Sequence, residues 1–262
     1  MTGLPDAAAL ERARLALDVD GAVATVTLSC PERRNAQTPS TWRALAEIGA
    51  HLPDEVRVVV VKGAGGTFSA GLDVDLLSPE GVPGEDSITE LMHGSDDEVL
   101  AAIDDYQRGF TWLRDARFVS IASVQGNAIG AGFQLALACD LRVVAEDARF
   151  AMLEPALGLV PDLTGTKPLV EVVGYSRALE ICATARFVQA DEARELGLAT
   201  AVVPVDDLDA TIADLTGALL ANPAGAVRET KALLATAAAD DLDTQRRRER
   251  EAQLRRFREL IG

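Results

Sequence analysis

The chain has 262 residues and is 48% hydrophobic, which suits one globular domain, or one domain with a small appendage. A formal net charge of −16 argues against a nucleic-acid partner, because phosphate backbones demand a basic surface. No apolar run approaches the roughly 20 residues of a membrane span, and the first residues lack the basic-then-apolar pattern of a secretory leader. A cytoplasmic protein is therefore expected. Three widely spaced cysteines (Cys30, Cys139, Cys182) read as reduced, mostly buried thiols. The two histidines, His51 and His93, do not stand at ligand spacing, so no metal site is expected.

In chain order, residues 15–18 and 22–28 alternate apolar with polar side chains around Asp20-Gly21, a strong hairpin-turn signal. Residues 39–52 predict a helix starting near Ser40 or Thr41. Residues 56–61 form a nearly unbroken β-branched run, so a strand buried on both faces is expected. Four glycines between Gly63 and Gly71 surround Phe68 and would let backbone approach a ligand closely. Residues 78–95, rich in Gly, Pro and acids, predict a mobile loop. Residues 97–114 have helical apolar spacing, and 119–124 predict a strand that leads into the glycine turn 126–132 and a small-residue helix through Cys139. Residues 141–145 predict another strand. Helices dominate from Thr166 onward, interrupted by a strand over 200–205. Strand–helix alternation followed by a helical last quarter predicts an α/β class with a separate packing module, divided as 1–200 and 201–262.

Two glycine turns after strands raise nucleotide binding. Gly126 to Gly132 reads Gly-x-x-x-Gly-x-Gly and not the dinucleotide-binding Gly-x-Gly-x-x-Gly, and neither turn ends in Gly-Lys-Ser/Thr. A Gly-x-Ser-x-Gly nucleophile elbow is also absent. Nucleotide chemistry is therefore disfavoured.

Four motifs in order carry a specific resemblance. The segment Cys30-Pro31-Glu32-Arg33-Arg34-Asn35-Ala36 comes first, then Phe68-Ser69-Ala70-Gly71-Leu72-Asp73-Val74. The third runs from Val124 through Gly130-Ala131-Gly132-Phe133-Gln134 to Ala136. The last joins Phe150-Ala151-Met152-Leu153-Glu154 to Gly158-Leu159-Val160-Pro161-Asp162. Together they resemble the enoyl-CoA hydratase/isomerase (crotonase) family. The resemblance implies a ββα spiral with a C-terminal helical module used for trimer formation, often doubled to a hexamer. It implies an acyl-CoA thioester substrate, with coenzyme A part of that substrate and no separate cofactor. The Leu72 and Ala131 amides would form an oxyanion hole, with Arg34, Ala36, Ala70, Asp73, Val74 and Gly130 binding substrate or CoA.

Chemistry explains why such parts belong together. Removing a proton beside a thioester, or adding water across its conjugated double bond, places negative charge on the thioester oxygen, and preorganised amides stabilise it. The family's hydratases use two glutamates. Here the later position is Glu154 and the earlier one is Gln134, which cannot act as a general base. The resemblance therefore favours double-bond isomerisation of 3-enoyl or 3,5-dienoyl thioesters through Glu154. Asp162 stands where dienoyl isomerases carry a second acid, although their third acid is missing, because it would occupy the Gln134 position; by itself Asp162 also reads as a cap of the following helix. The alternatives are a 2-enoyl hydratase, with Gln134 positioning water, and a non-catalytic acyl-CoA-binding protein. The chain stops about where many relatives begin a further helix near coenzyme A. The arginines of 246–258 read first as a solvated helix face paired with Glu249, Glu251 and Glu259.

Overall fold

The computed structural model describes residues 3–261. Its strands are β1 (Leu15–Asp20), β2 (Val23–Leu28), β3 (Val58–Gly63), β4 (Val119–Val124), β5 (Asn127–Ile129), β6 (Leu141–Ala145), β7 (Arg149–Ala151), β8 (Val188–Gln189) and β9 (Ala201–Val203). The helices begin with α1 (Ala7–Arg12), α2 (Pro39–His51), α3 (Ile88–Leu91), α4 (Asp96–Thr111) and α5 (Ala131–Ala138). They continue with α6 (Thr166–Val173), α7 (Tyr175–Thr184), α8 (Ala190–Glu195), α9 (Leu208–Ala221), α10 (Ala224–Ala237) and α11 (Leu242–Ile261).

The larger sheet has the order β1-β2-β3-β4-β6-β9. The β1–β2 hairpin turns at Gly21, whose φ of +53° explains the glycine, and every later pair is parallel. Alternate residues of β3 face opposite ways. Val59 and Val61 enter the main core with Phe68, Phe133 and Phe150, while Val58 and Val60 join Ile121, Val143, Leu208 and Ile212 on the other face. Burial on both faces accounts for the unbroken valine run.

A second sheet, β5-β7-β8, was not foreseen from the sequence, because its strands are two or three residues long. Short strands of small residues carry too little periodicity to separate from turns. This sheet gives the chain its repeat. After β3 the chain makes a parallel bridge at Ser69 before reaching α4; after β4 comes β5 and then α5; after β6 comes β7 and then α6. The repeat is a ββα turn.

Local signals fix the helix starts. Thr38 and Thr41 form a reciprocal capping box at α2, with Pro39 at the first turn, so the start lies before Ser40. Ser95 and Glu98 do the same for α4. The 78–95 stretch is tied down more than its composition predicts. Glu85 accepts from Thr38 Oγ1 at 2.6 Å and from the Ser40 amide at 3.0 Å, and Asp86 pairs with Arg43. The expected division at residue 200 falls just before β9, which belongs to the large sheet, so the uninterrupted helices begin after Val203. In α11 the arginines pair with acids, as a solvated face requires, although the partners are Glu229, Asp240, Asp243 and Glu259, not Glu249 or Glu251. All three cysteines are free; Cys30 and Cys139 are buried, and burial pushes the Cys139 thiol up to about 12. No helix among the described residues is long and apolar enough to cross a membrane.

Helices α2 and α4 cross at Gly109, where an added Cβ would lie 2.4 Å from the Trp42 carbonyl oxygen. Gly109→Ala should therefore lower stability by about 1–3 kcal/mol through overpacking, read as a lower urea midpoint at unchanged slope.

Candidate active site

The site begins with two backbone segments laid side by side. The Phe68 amide donates to Gln125 O and the Ser69 amide to Asn127 O, each at 2.8 Å, and the Ile129 amide returns to Ser69 O at 3.0 Å. Gly71 sits at the closest approach with φ of +86°. A Cβ there would be 2.5 Å from Ile129 O and 3.4 Å from the Ala131 nitrogen. Only glycine combines that conformation with that contact. Gly132 is similar, since its Cβ would reach 2.8 Å from Ser69 Cβ.

A buried polar network that sequence reasoning missed holds the first segment in place. Ser69 Oγ donates to Asn35 O at 2.7 Å and accepts from Gln37 Nε2 at 3.0 Å and from the Gly71 amide at 3.1 Å. The Asn35 side chain bonds the Cys30 amide and the Ala64 and Thr67 carbonyls. Asn, Gln and Ser have many roles, so only their convergence in space reveals this one.

Among the described residues, neither the Leu72 nor the Ala131 amide donates to another protein group. Leu72 takes part in a one-residue bridge to Gln37 that uses its neighbours' hydrogen bonds, from Gln37 N to Gly71 O and from Asp73 N to Gln37 O. Ala131 opens α5, where a first-turn amide has no intrahelical partner. Both residues line one cavity of about 240 Å³, together with Ala70, Val74, Gly130 and Glu154. Larger cavities of about 640 and 830 Å³ lie elsewhere, against α10 and between α2 and α4, away from these acids.

The predicted binding residues divide. Val74, 62% exposed, sits at the mouth, while Arg34 is exposed and ties its carbonyl to the Ala70 amide at 2.8 Å. Ala36 is buried and its carbonyl accepts from Arg14. Asp73 differs from expectation: its 1%-exposed carboxylate accepts from Arg14 at 2.7 Å and from Arg33 at 2.6 and 2.9 Å. These arginines hold its carboxyl below the usual range against the opposing effect of burial. Asp73 therefore braces the Leu72 segment and has no side-chain oxygen to offer a ligand.

Glu154 follows β7 at the start of a short 3₁₀ turn, packed over Gly130, where a Cβ would come within 3.3 Å of its Oε1. Oε1 accepts from Gln134 Nε2 at 2.8 Å, while Oε2 is buried and unpartnered among the described residues. Burial pushes the Glu154 carboxyl up, and the nearby Asp162 charge adds to this, against the Gln134 hydrogen bond. Burial likewise raises Asp162. Asp162 is not the cap of α6; that position is Gly165, with no side-chain cap bond. Gln134 is 1% exposed, and its Oε1 accepts from the Leu163 amide at 2.9 Å and the Gly165 amide at 3.1 Å. That oxygen is occupied twice, so it is not an open water site. No cluster of three or more His, Cys, Asp or Glu able to hold a metal occurs among the described residues.

Residues 18–260 match the sequence model of the enoyl-CoA hydratase/isomerase family. The chain is an enzyme of that family. It is similar to a candidate enoyl-CoA hydratase from Thermobifida fusca YX solved with CoA, at 52% identity and TM-score 0.95, covering 100% of this chain and 99% of that one. The same protein with acetoacetyl-CoA matches at 52% identity and TM-score 0.95, over 98% of this chain and 99% of the other. The fold is therefore the crotonase-like α/β spiral with C-terminal helices. Among curated relatives, the rat mitochondrial Delta(3,5)-Delta(2,4)-dienoyl-CoA isomerase is 36% identical over 70% of this chain. The match spans 56% of that enzyme, so the chain covers little more than half its length. A Clostridium acetobutylicum short-chain-enoyl-CoA hydratase is 29% identical, over 90% of this chain and 86% of the relative.

Asp73→Asn should destabilise the family enzyme by about 3 kcal/mol at neutral pH, because it leaves two arginines without their buried partner. A depressed carboxyl stabilises the fold above its unfolded value near 3.9 and loses this as pH falls through the folded value. The gap between variant and wild type in denaturant titrations should therefore narrow at acidic pH.

Proposed function

We propose that this enzyme shifts a double bond in an unsaturated acyl-CoA thioester, acting on 3-enoyl or 3,5-dienoyl chains. The observation that carries the proposal is the carboxylate oxygen Glu154 Oε2, unpartnered among the described residues and beside the cavity, with an amide, Gln134, where a second glutamate would be needed for two-carboxylate hydration. The thioester oxygen accepts from the Leu72 and Ala131 amides, which form the oxyanion hole. Glu154 Oε2 takes the C2 proton, and the C–H electron pair moves into the conjugated system as a dienolate with its charge on that oxygen. Glu154 returns this proton at C4 of a 3-enoyl chain; for a 3,5-dienoyl chain a protonated Asp162 gives its own proton to C6, and the proton left on Glu154 passes back to Asp162 before the next turnover. Nothing is consumed, and the product is the 2-enoyl or 2,4-dienoyl isomer. Two fixed donors in a mostly apolar cavity supply on the order of several kcal/mol. The raised Glu154 carboxyl suits reversible transfer, since it holds the abstracted proton more firmly than an ordinary glutamate would.

Apolar walls from Leu72, Ile129, Leu153, Leu157 and Leu159 suit an acyl chain. Arg34 and Val74 at the rim, with Ala36 and Ala70 behind, are where the CoA portion would lie. The helices after Val203 would associate in a homotrimer or hexamer. Exposed Leu254, Phe257, Leu260 and Ile261 on α11 support that reading.

Turnover of purified 2-enoyl, 3-enoyl and 3,5-dienoyl thioesters should show isomerisation dominant, and Glu154→Gln should lower its kcat by about 10²–10⁴-fold. Robust hydration that Glu154→Gln abolishes, without isomerisation, would establish the hydratase reading instead. Binding of thioesters with no turnover of any would establish a non-catalytic acyl-CoA-binding protein. Sedimentation should give a mass that is a multiple of three chains, and Phe257→Glu should reduce it.

A further inference from the structure

We infer that Gln134 is a positioning residue that joins the two acids and confines proton transfer at Glu154 to its Oε2 atom. The inference rests on the proposed role of Glu154 and adds a residue to it. Gln134 lies in the first turns of α5, 1% exposed, so its amide must meet its bonding needs inside the protein. Two backbone amides, Leu163 and Gly165, converge on its Oε1, at 2.9 and 3.1 Å. Amides only donate, so that atom is the carbonyl oxygen and the side chain cannot be flipped. Its nitrogen therefore faces Glu154 Oε1 at 2.8 Å as a donor. An oxygen that accepts this bond carries no proton along the same line. A proton held by Glu154 is therefore favoured on Oε2, the oxygen without a partner among the described residues, because protonating Oε1 would weaken the bond from Gln134.

The same side chain shapes the loop that carries Asp162. Between the two amides it binds, Thr164 has φ of +70°, a left-handed conformation rare for a β-branched residue. Gly165 fits only because it lacks a Cβ, which would stand 2.6 Å from Gln134 Cγ. Gln107 Nε2 holds the Asp162 carbonyl at 2.7 Å from the α4 side. Gln134 thus fixes one acid through its nitrogen and braces the other's loop through its oxygen. The remaining titratable groups that act on Glu154 are Asp162 itself and the half-buried Cys182 thiol of α7.

A carboxylate at position 134 would behave differently. One of its oxygens could keep both backbone amides, but the other would meet Glu154 Oε1 at hydrogen-bond distance, and the pair would have to share a proton.

The test compares Gln134→Met and Gln134→Glu with wild type by pH–rate profile and by amide hydrogen exchange at Leu163 and Gly165. In Gln134→Met, kcat should fall at least about tenfold with KM changed less than about threefold. Its acid limb of kcat/KM should move to higher pH, since a donor to the charged carboxylate is lost, and both amides should exchange faster. Gln134→Glu should restore slow exchange, yet move the acid limb up further. Wild-type profiles and wild-type exchange in both variants would overturn the inference. Should Glu154→Gln keep full turnover, the proposed reaction fails, and faster exchange in Gln134→Met still decides whether Gln134 holds the loop.

Discussion

The structure depends on the contact between two backbone segments at Gly71 and Ile129–Ala131. Two amide nitrogens can serve one ligand atom only if their chains run side by side, closer than ordinary side chains permit. The protein meets that demand with glycine at Gly71 and Gly132, and with small residues at Ala70 and Ala131. Parallel bridges between Ser69 and Ala128 and between Gln37 and Leu72 then fix the register. The short second sheet is the continuation of that contact through β5 and β7.

Around this contact the protein holds three layers of restraint. Ser69, Gln37 and Asn35 lock the first segment with neutral hydrogen bonds inside the core. Asp73 with Arg14 and Arg33 braces the same segment from the outer side with charge. Gln134 ties the second segment's helix to Glu154 and to the Leu163–Gly165 backbone that follows Asp162. These restraints keep the Leu72 and Ala131 amides and Glu154 Oε2 free of protein partners. A buried polar group left open in a folded protein is costly, and Glu154 Oε2 lies beside the same small apolar cavity as the two open amides. Such a concentration is what a site for a developing oxyanion and a mobile proton requires.

The relation between the acids carries the same logic. Both are pushed up by burial, and each sits in a different loop after β7. A second glutamate at position 134 would create a carboxylate pair that shares a proton. The amide there leaves one carboxylate with one open oxygen. The family contains hydratases and isomerases on one scaffold, and in the proposed reaction an amide in place of a carboxylate of equal size removes one possible proton carrier.

Much of this was legible in the residues. The valine run, the Asp20-Gly21 hairpin, the helix over 39–52 and the glycine clusters follow from local propensity and period, and the structure places the strands and the helix within two residues of the expected ends. The ordered motifs also pointed to Leu72, Ala131, Gln134 and Glu154, which the fold gathers at one site. Other features depended on contacts between residues far apart in the chain. Asp73 reads as a ligand-binding acid until Arg14, 59 positions away, is seen beside it. Asp162 reads as a helix cap until Gly165 is found at that position. Gln134 reads as a water-binding amide until two amides 29 and 31 positions later occupy its oxygen. The sequence by itself determined the backbone conformations and the chemical groups, because glycine, proline, β-branching and side-chain type act locally. Only the tertiary structure decided which polar groups are satisfied and which are left open, because hydrogen-bond partners are chosen by proximity in space and not along the chain.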